Sequence, residues 1–549
     1  MSYWIGIDLG TTNSSLCYRK KGEGESHLFP IKQRVGQAEE KALLTLPSFY
    51  LFPPEEPPCV GEFAKMRGEE LPNRVVSSAK SWLSHESVDR KSPFLPLSDI
   101  AEKISPVDVM AAYLTHLKEA WDKESFVEQD IYITVPASFD PDARLLVQEA
   151  AEIAGYPPFT LLEEPTAAFY AWLSCANWRD YLHVNESVLV IDIGGGTTDF
   201  TLITVEESEG NLQLTRKAVG SHLLLGGDNL DLTLAHLVRQ KLGKSLSRSQ
   251  MTTLVYASRA AKERLFSGEE SVGITLLGEG SRLMGGMLKT LLHREEVEKV
   301  LINGFFPYVD LDVEVAHEKR TGLAQLGLPF VRDPRVTAHL AHFLRGHTLP
   351  SAVLFHGGTL KAEPFRRAIL EVLSSWQGEA VRELPSSDLD FAVSRGAVVY
   401  GTGEGIRVRA GSSRSFWIGV EGANPAVPGL EPPLSALCIV PFGLEEGSET
   451  VLDEEFTLLL REPALFRFFS RSEDDGSTVG MVCDNPLAEL SELHTLETVL
   501  ESDKNMALVR LKAKLTELGV LELWCVAKDR EWKISFEARA SAPELVASS

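Results

Sequence analysis

Two stretches of this chain place a carboxylate, glycines and paired threonines behind an apolar run. They are Asp8-Leu9-Gly10-Thr11-Thr12 and Asp192-Ile193-Gly194-Gly195-Gly196-Thr197-Thr198. Glycine turns let backbone N–H groups approach phosphate oxygens, because no Cβ stands in the way. The threonine hydroxyls add donors. Bare carboxylates beside phosphates would repel them, so a cation must lie between, and hard oxygen ligands with retained waters suit Mg2+. One such segment alone reads as an ordinary β-turn. Two in one chain read as a duplicated strand–turn–strand unit, one per lobe, facing a common cleft. A third segment, SAVLFHGGTLKAEPF at 351–365, runs a strand into Gly357-Gly358 and starts a helix at Pro364. Such a unit can bring backbone against a flat ligand such as adenine with its ribose. No G-x-x-x-x-G-K-[ST] occurs, which excludes a P-loop. No G-x-G-x-x-G lies in a strand–turn–helix setting, which speaks against a dinucleotide fold.

Those turns need strands to carry them. YWIGIDL, IYITV before Pro136 and VLVIDI are short, nearly continuous apolar runs, as buried sheet strands should be. Helices are expected from Pro141 to Gly155, capped by Asp140 or Asp142, then after Glu164-Pro165, and from near Asp228 to Gly243. More are expected near 249–265, 293–304, 335–346 and 362–376. The first 405 residues thus read as α/β. Residues 406–415, IRVRAGSSRS, read as a polar, basic connector. Residues 416–540 show about seven or eight short alternating strands, a β-sandwich pattern, interrupted by a helix-like PLAELSELHTLETVLE. Residues 541–549 read as a frayed tail.

Composition narrows the function. The 549 residues are 44% hydrophobic and 24% charged, with a formal net charge of −24. That balance argues against a general nucleic-acid binder and against docking on anionic membranes. The six cysteines, Cys17, Cys59, Cys175, Cys438, Cys483 and Cys525, form no C-x-x-C pair and read as core residues of a reducing compartment. MSYWIGIDLGTTNSS lacks the pattern of a signal peptide, and no run is long enough to span a bilayer, so a cytoplasmic protein is expected.

IGIDLGTTNS, VLVIDIGGGTTDF, LLEEPTAAFYAW, LGGDNLD and FHGGTLKAEPF resemble the phosphate, connecting and adenosine motifs of the 70-kDa heat-shock chaperones, in that family's order. The resemblance covers about residues 1–400 and continues more weakly through 416–539. It implies an actin-like ATPase domain of two lobes, each with a ribonuclease-H-like core, followed by a peptide-binding β-sandwich. It implies ATP or ADP with Mg2+, and a K+ ion beside them. Asp8, Glu164 and Asp192 would hold the waters of the Mg2+ ion. Lys80 would be the catalytic lysine near the γ-phosphate. Thr197 and Asp199 would complete the site, with Asp8, Asp192 or Asp199 positioning the attacking water. Gly10, Thr11, Thr12, Asn13, Gly194, Gly195, Gly196, Thr198, Gly226 and Gly227 would surround the phosphates. Lys262, Gly357, Gly358, Lys361 and Asp390 would lie on the adenosine side. Pro136 and Arg144 match the family's proline switch and its arginine partner, which relay nucleotide state to the second domain.

The sequence departs from the family at named places. Arg259 stands where an acidic residue is usual, Phe266 where a small hydroxyl residue is usual, and Lys361 where an arginine stacks on the base. Thr160 and Glu163 replace an arginine and an asparagine that help receive J-domain partners. IRVRAGSSRS lacks the apolar run with which the family's linker adds a strand to the ATPase lobe, so domain coupling is expected to use other contacts. Only a short tail follows the sandwich where a helical lid is usual, so a lid-less member with fast peptide exchange is expected. The resulting expectation is an ATP-dependent chaperone that holds unfolded or extended polypeptides, with a co-chaperone or nucleotide exchange factor as further partner. The alternative is a nucleotide-gated scaffold with one dedicated folded partner. A sugar-kinase-like enzyme and a cytoskeletal filament fit the motifs less well.

Overall fold

Lobe I is built on β1 (Tyr3–Leu9), β2 (Asn13–Lys20), β3 (Asp130–Val135) and β4 (Thr160–Glu163). In this computed structural model the described residues are 2–534, apart from 86–87, 176, 209–210, 278–286, 317–326, 387, 404–407, 410–411, 413, 423–432, 445–447, 472–475, 494, 517–520 and 529. β1 and β2 form an antiparallel hairpin, and β3 runs parallel to β1 and β4 parallel to β3. Ile5, Ile7 and Leu9 are fully buried, which explains the apolar reading of β1. Helix α1 (Ala79–Trp82), helix α2 (Pro141–Ile153) and helix α3 (Glu164–Cys175) complete the part of this half that matters for the site. The α2 start is dictated locally: the Asp140 side chain accepts from the Ala143 N–H at 2.7 Å, and Pro141 needs no N–H partner.

Lobe II repeats the plan. β5 (Ser187–Ile193), β6 (Thr198–Ser208) and β7 (Asn211–Val219) form an antiparallel meander. After α4 (Gly227–Leu242) and α5 (Arg248–Phe266) comes β8 (Ala352–His356), which lies parallel to β5 as β3 lies parallel to β1. Then follow α6 (Glu363–Gln377) and α7 (Ala392–Thr402). α3 leaves lobe I and packs on the lobe II sheet, where Ala167, Phe169 and Trp172 share a core with Val188, Val190, Ile203 and Leu354. α7 packs back toward lobe I, and the two helices touch so closely that a Cβ on Gly396 would lie 1.6 Å from the Ala167 carbonyl oxygen. This exchange of helices makes the lobes one α/β unit with an actin-like, two-lobed plan.

The helices predicted within the first 405 residues all appear, within a residue or two. Pro106–Ala120, Glu62–Glu70 and α7 were not anticipated. The linker expectation needs revision. The connector does add a strand: β9 (Val408–Arg409) pairs in parallel with Leu214 and Thr215 of β7. Backbone pairing does not require the apolar run. The rest of that connector falls largely outside the described residues, as does the 541–549 tail.

The C-terminal part is β-rich. One sheet centres on β10 (Ser415–Glu421) and β11 (Leu434–Val440), the other on β12 (Met506–Leu515) and β13 (Leu521–Val526). Ile418, Leu437 and Phe468 of the first meet Leu511, Leu523 and Trp532 of the second in one core. The helix-like reading of PLAELSELHTLETVLE is corrected. Only Pro486–Glu489 is helical, and Leu496–Val499 pairs antiparallel with Pro463–Phe466. Pairing across the chain outweighed local helix propensity there.

Candidate active site

The two glycine turns meet face to face across the lobes. A Cβ on Gly195 would lie 2.6 Å from the Thr12 side chain, and one on Gly196 would lie 3.2 Å from Thr11. Each turn is closed by its own backbone: a Cβ on Gly10 would lie 2.1 Å from the Asn13 carbonyl oxygen, and the Gly194 N–H donates to the Thr197 carbonyl at 3.0 Å. Between them opens a cleft of about 570 Å3, lined by Asp8, Thr11, Thr12, Asn13, Lys80, Pro136, Glu164, Asp192, Gly194, Gly195, Thr197, Gly227, Lys262, Gly357, Gly358, Lys361 and Asp390, among others. That volume suits a nucleotide-sized ligand. Gly196, Thr198 and Gly226 do not line it. The Thr198 hydroxyl donates to the Leu225 carbonyl at 2.7 Å, and Gly226 packs against the Gly194 and Gly195 carbonyls, so both shape the turn from behind.

At the cleft floor, charges converge from four elements. Lys80 sits on the short α1 after Ser78, whose φ is 55°, and its Nζ lies 2.5 Å from Glu164 Oε1 at the start of α3. Asp8 and Asp192 lie one residue from the ends of β1 and β5. Burial, with Glu164 and Asp192 nearby, pushes the Asp8 carboxyl up to about 7 despite Lys80. Burial, Glu164 and Asp199 push Asp192 well above its ordinary range. Gly357 has φ 92°, and a Cβ there would lie 2.4 Å from Asp192 Oδ1, so only glycine lets β8 end against this carboxylate.

Three mutually repelling carboxylates fit a hydrated dication, whose charge would bring the Asp8 and Asp192 carboxyls down. Among the described residues no group of three His, Cys, Asp or Glu is placed to hold an ion directly. An ion there would be held by Asp8, Glu164 and Asp192 through its own waters.

Asp199 faces Asp192 across the β5–β6 register. It accepts from the Ser138 hydroxyl at 2.7 Å and lies 3.0 Å from His222 Nδ1. Burial alone would raise Asp199, but His222 and Ser138 outweigh it and hold the carboxyl below its usual range. Burial likewise pulls His222 down, and Asp199 more than reverses it. A second imidazole, His356, is 3.4 Å from Asp192 Oδ2, and burial drives it to about 4. Ser138, His222 and His356 were not singled out from the sequence. His356 carried a signal, a polar residue ending the apolar run before Gly357. His222, in SHLLLGG, carried none that spacing could read.

The end of the cleft along α5 is built differently. Arg259 donates to Asp231 at 2.7 Å and pairs with Asp228, and Lys262 Nζ lies 2.7 Å from Asp231. The unusual arginine is thus neutralised within lobe II. Phe266 stacks edge-on to Phe365 with centroids 4.9 Å apart. Lys361 pairs with Asp390 at the rim. Pro136 directly follows β3 in the cleft wall, and Arg144 on α2 lies 2.6 Å from Glu163.

The "Hsp70 protein" family model matches residues 4–306. A "Chaperone protein HscA homolog" of Methylococcus capsulatus is 31% identical over 294 residues, 51% of this chain and 44% of that protein. One from Acinetobacter baylyi is 31% identical over 49% of the chain and 42% of the relative. One from Cupriavidus necator is 27% identical over 403 residues, 70% of the chain and 55% of the relative. The matches span about half the length of these relatives. Because the family model covers more than half of the chain and its motifs are those that form the two facing turns, the chain belongs to the Hsp70 family.

Proposed function

We propose that the protein is an ATP-dependent chaperone that binds and slowly hydrolyses ATP in the interlobe cleft, and so controls how its C-terminal β-sandwich holds unfolded or extended polypeptide. The observation that carries this reading is the convergence of Lys80, Glu164, Asp8 and Asp192 below two opposed glycine turns. The backbone of those turns, with Thr11, Thr12 and Thr197, would bind the phosphates. Mg2+, when bound, would neutralise charge on them. Lys80 would reach the γ-phosphate, shifting from Glu164 as substrate enters. Asp199, held by Ser138 and His222, would orient the attacking water, with Asp192 or Asp8 as its neighbours. Positioning and charge neutralisation are most of what phosphoryl transfer asks of a protein.

Peptide capture would rest on main-chain hydrogen bonds and an apolar pocket of the sandwich. An exchange factor or co-chaperone is a further expected partner. The proposed place of work is the cytoplasm, which scattered free thiols suit. Among the described residues no helix is long and apolar enough to cross a membrane. The test is calorimetry of ATP and ADP with Mg2+, followed by release of a bound unfolded peptide. ATP is expected to bind and to speed release. Undetectable ATP binding by the wild type sinks the reading. Binding confined to one folded partner would favour the scaffold alternative.

A further inference from the structure

Along α5 the polar side chains of the cleft wall are paired with one another. Arg259 holds Asp228 and Asp231, Lys262 holds Asp231 and lies 3.3 Å from the Gly227 carbonyl, and Lys361 holds Asp390. The Ser267 hydroxyl donates to the Glu263 carbonyl at 2.7 Å, back onto its own helix end. The Glu263 side chain also lines the cleft, but the residue is exposed, so water competes for any hydrogen bond it makes. The amino group it could accept from is carried by adenine and guanine alike.

What remains there to meet a flat ring is apolar. Phe266, the last residue of α5, lines the cleft and packs edge-on against Phe365. Phe365 is buried and stacks in turn on Phe306, with centroids 4.9 Å apart, so Phe266 rests on a fixed aromatic layer. Contact between a base and an aromatic side chain tolerates any base, because every base has a π-face. A site of unpaired hydrogen-bonding groups rejects the wrong ligand by about 10⁴–10⁵-fold, whereas an apolar pocket manages about 10–200-fold at most. The α5 end is of the second kind.

We propose that the cleft takes purine nucleoside triphosphates with little regard to the base, GTP about as readily as ATP, and that Phe266 holds the base by aromatic contact. This rests on the ATPase reading above, which places the phosphates at the two glycine turns and so the base along α5. The test is calorimetry of the full chain with Mg2+ and either ATP or GTP, for the wild type and Phe266→Ala. The two wild-type affinities are expected to agree within about tenfold. Phe266→Ala is expected to weaken both by about tenfold and to leave their ratio unchanged within about threefold. Phe266→Leu, which stays apolar but has no aromatic ring, is expected to weaken both alike and serves if Phe266→Ala does not fold. Wild-type affinities that differ by more than about tenfold, in either direction, would overturn the proposal. So would a loss in the variants confined to one nucleotide, or no loss at all. Each of these results leaves ATP binding in place and the ATPase reading intact, whereas a wild type that binds neither nucleotide would overturn both.

Discussion

The two ends of the cleft are made of different material. The proposed phosphate end is made of backbone: glycine turns at the tips of β1 and β5, a glycine at φ 92° after β8, and carboxylates fixed by strand register. The proposed base end is made of side chains on helices: Arg259 and Lys262 on α5 pair with Asp228 and Asp231 on α4, and Phe266 packs on Phe365. Backbone geometry leaves little room for substitution, whereas helix side chains can be exchanged so long as charge and volume balance. Lobe II shows this directly. An arginine in place of an acid at position 259 is absorbed by Asp228 and Asp231.

That contrast can be broken most forcefully at Lys80. Lys80→Ala is expected to slow hydrolysis by about 10²–10³-fold while ATP affinity stays within a few-fold, as for loss of a charge aimed at the transition state. Equal turnover would remove Lys80 from the mechanism and blunt the contrast.

A middle-sized effect is expected behind the phosphate end. In protein free of nucleotide and Mg2+, His222 has a raised value, so the stability it contributes is complete below its unfolded value of about 6.5. It is lost as pH rises through the folded value. Asp199, held low, adds stability that disappears only as acid protonates it below the ordinary carboxylate range. The stability difference between wild type and His222→Gln should therefore be about 1–3 kcal/mol near pH 6 and shrink toward alkaline pH. Thermal unfolding across pH checks this, and a difference independent of pH would contradict the ion pair.

The smallest effect is expected at the base end. Lys361 is 57% exposed and its pair with Asp390 is open to solvent. Lys361→Ala should weaken ATP binding by less than about fivefold in calorimetry, because exposed pairs are worth about 1 kcal/mol or less. A much larger loss would mean that the rim reads the base as strictly as the turns read phosphate.

Legibility in the sequence follows the same division. Asp8, Asp192, the glycines and Gly357 could be read because strand period and turn chemistry are local. The helix ends at Asp140 and Gly243 were legible for the same reason. The roles of Ser138 and His222 were not, since each is 61 or 23 residues from its partner Asp199. The helix-like reading of 486–501 failed because local propensity was weighed without the partner strand at Pro463–Phe466.

By itself, then, the sequence determined the local pieces: two carboxylate-tipped strands with glycine turns, the helices between them, and the order in which they come. Tertiary structure alone decided what those pieces meet: that Thr12 faces Gly195, that Glu163 joins Arg144 to Arg216, and that two residues of a polar linker extend the β7 edge. The physical reason is range. Turn and strand preferences act over a few residues, whereas ion pairs, close backbone approaches and sheet pairing are set only when distant segments are packed together.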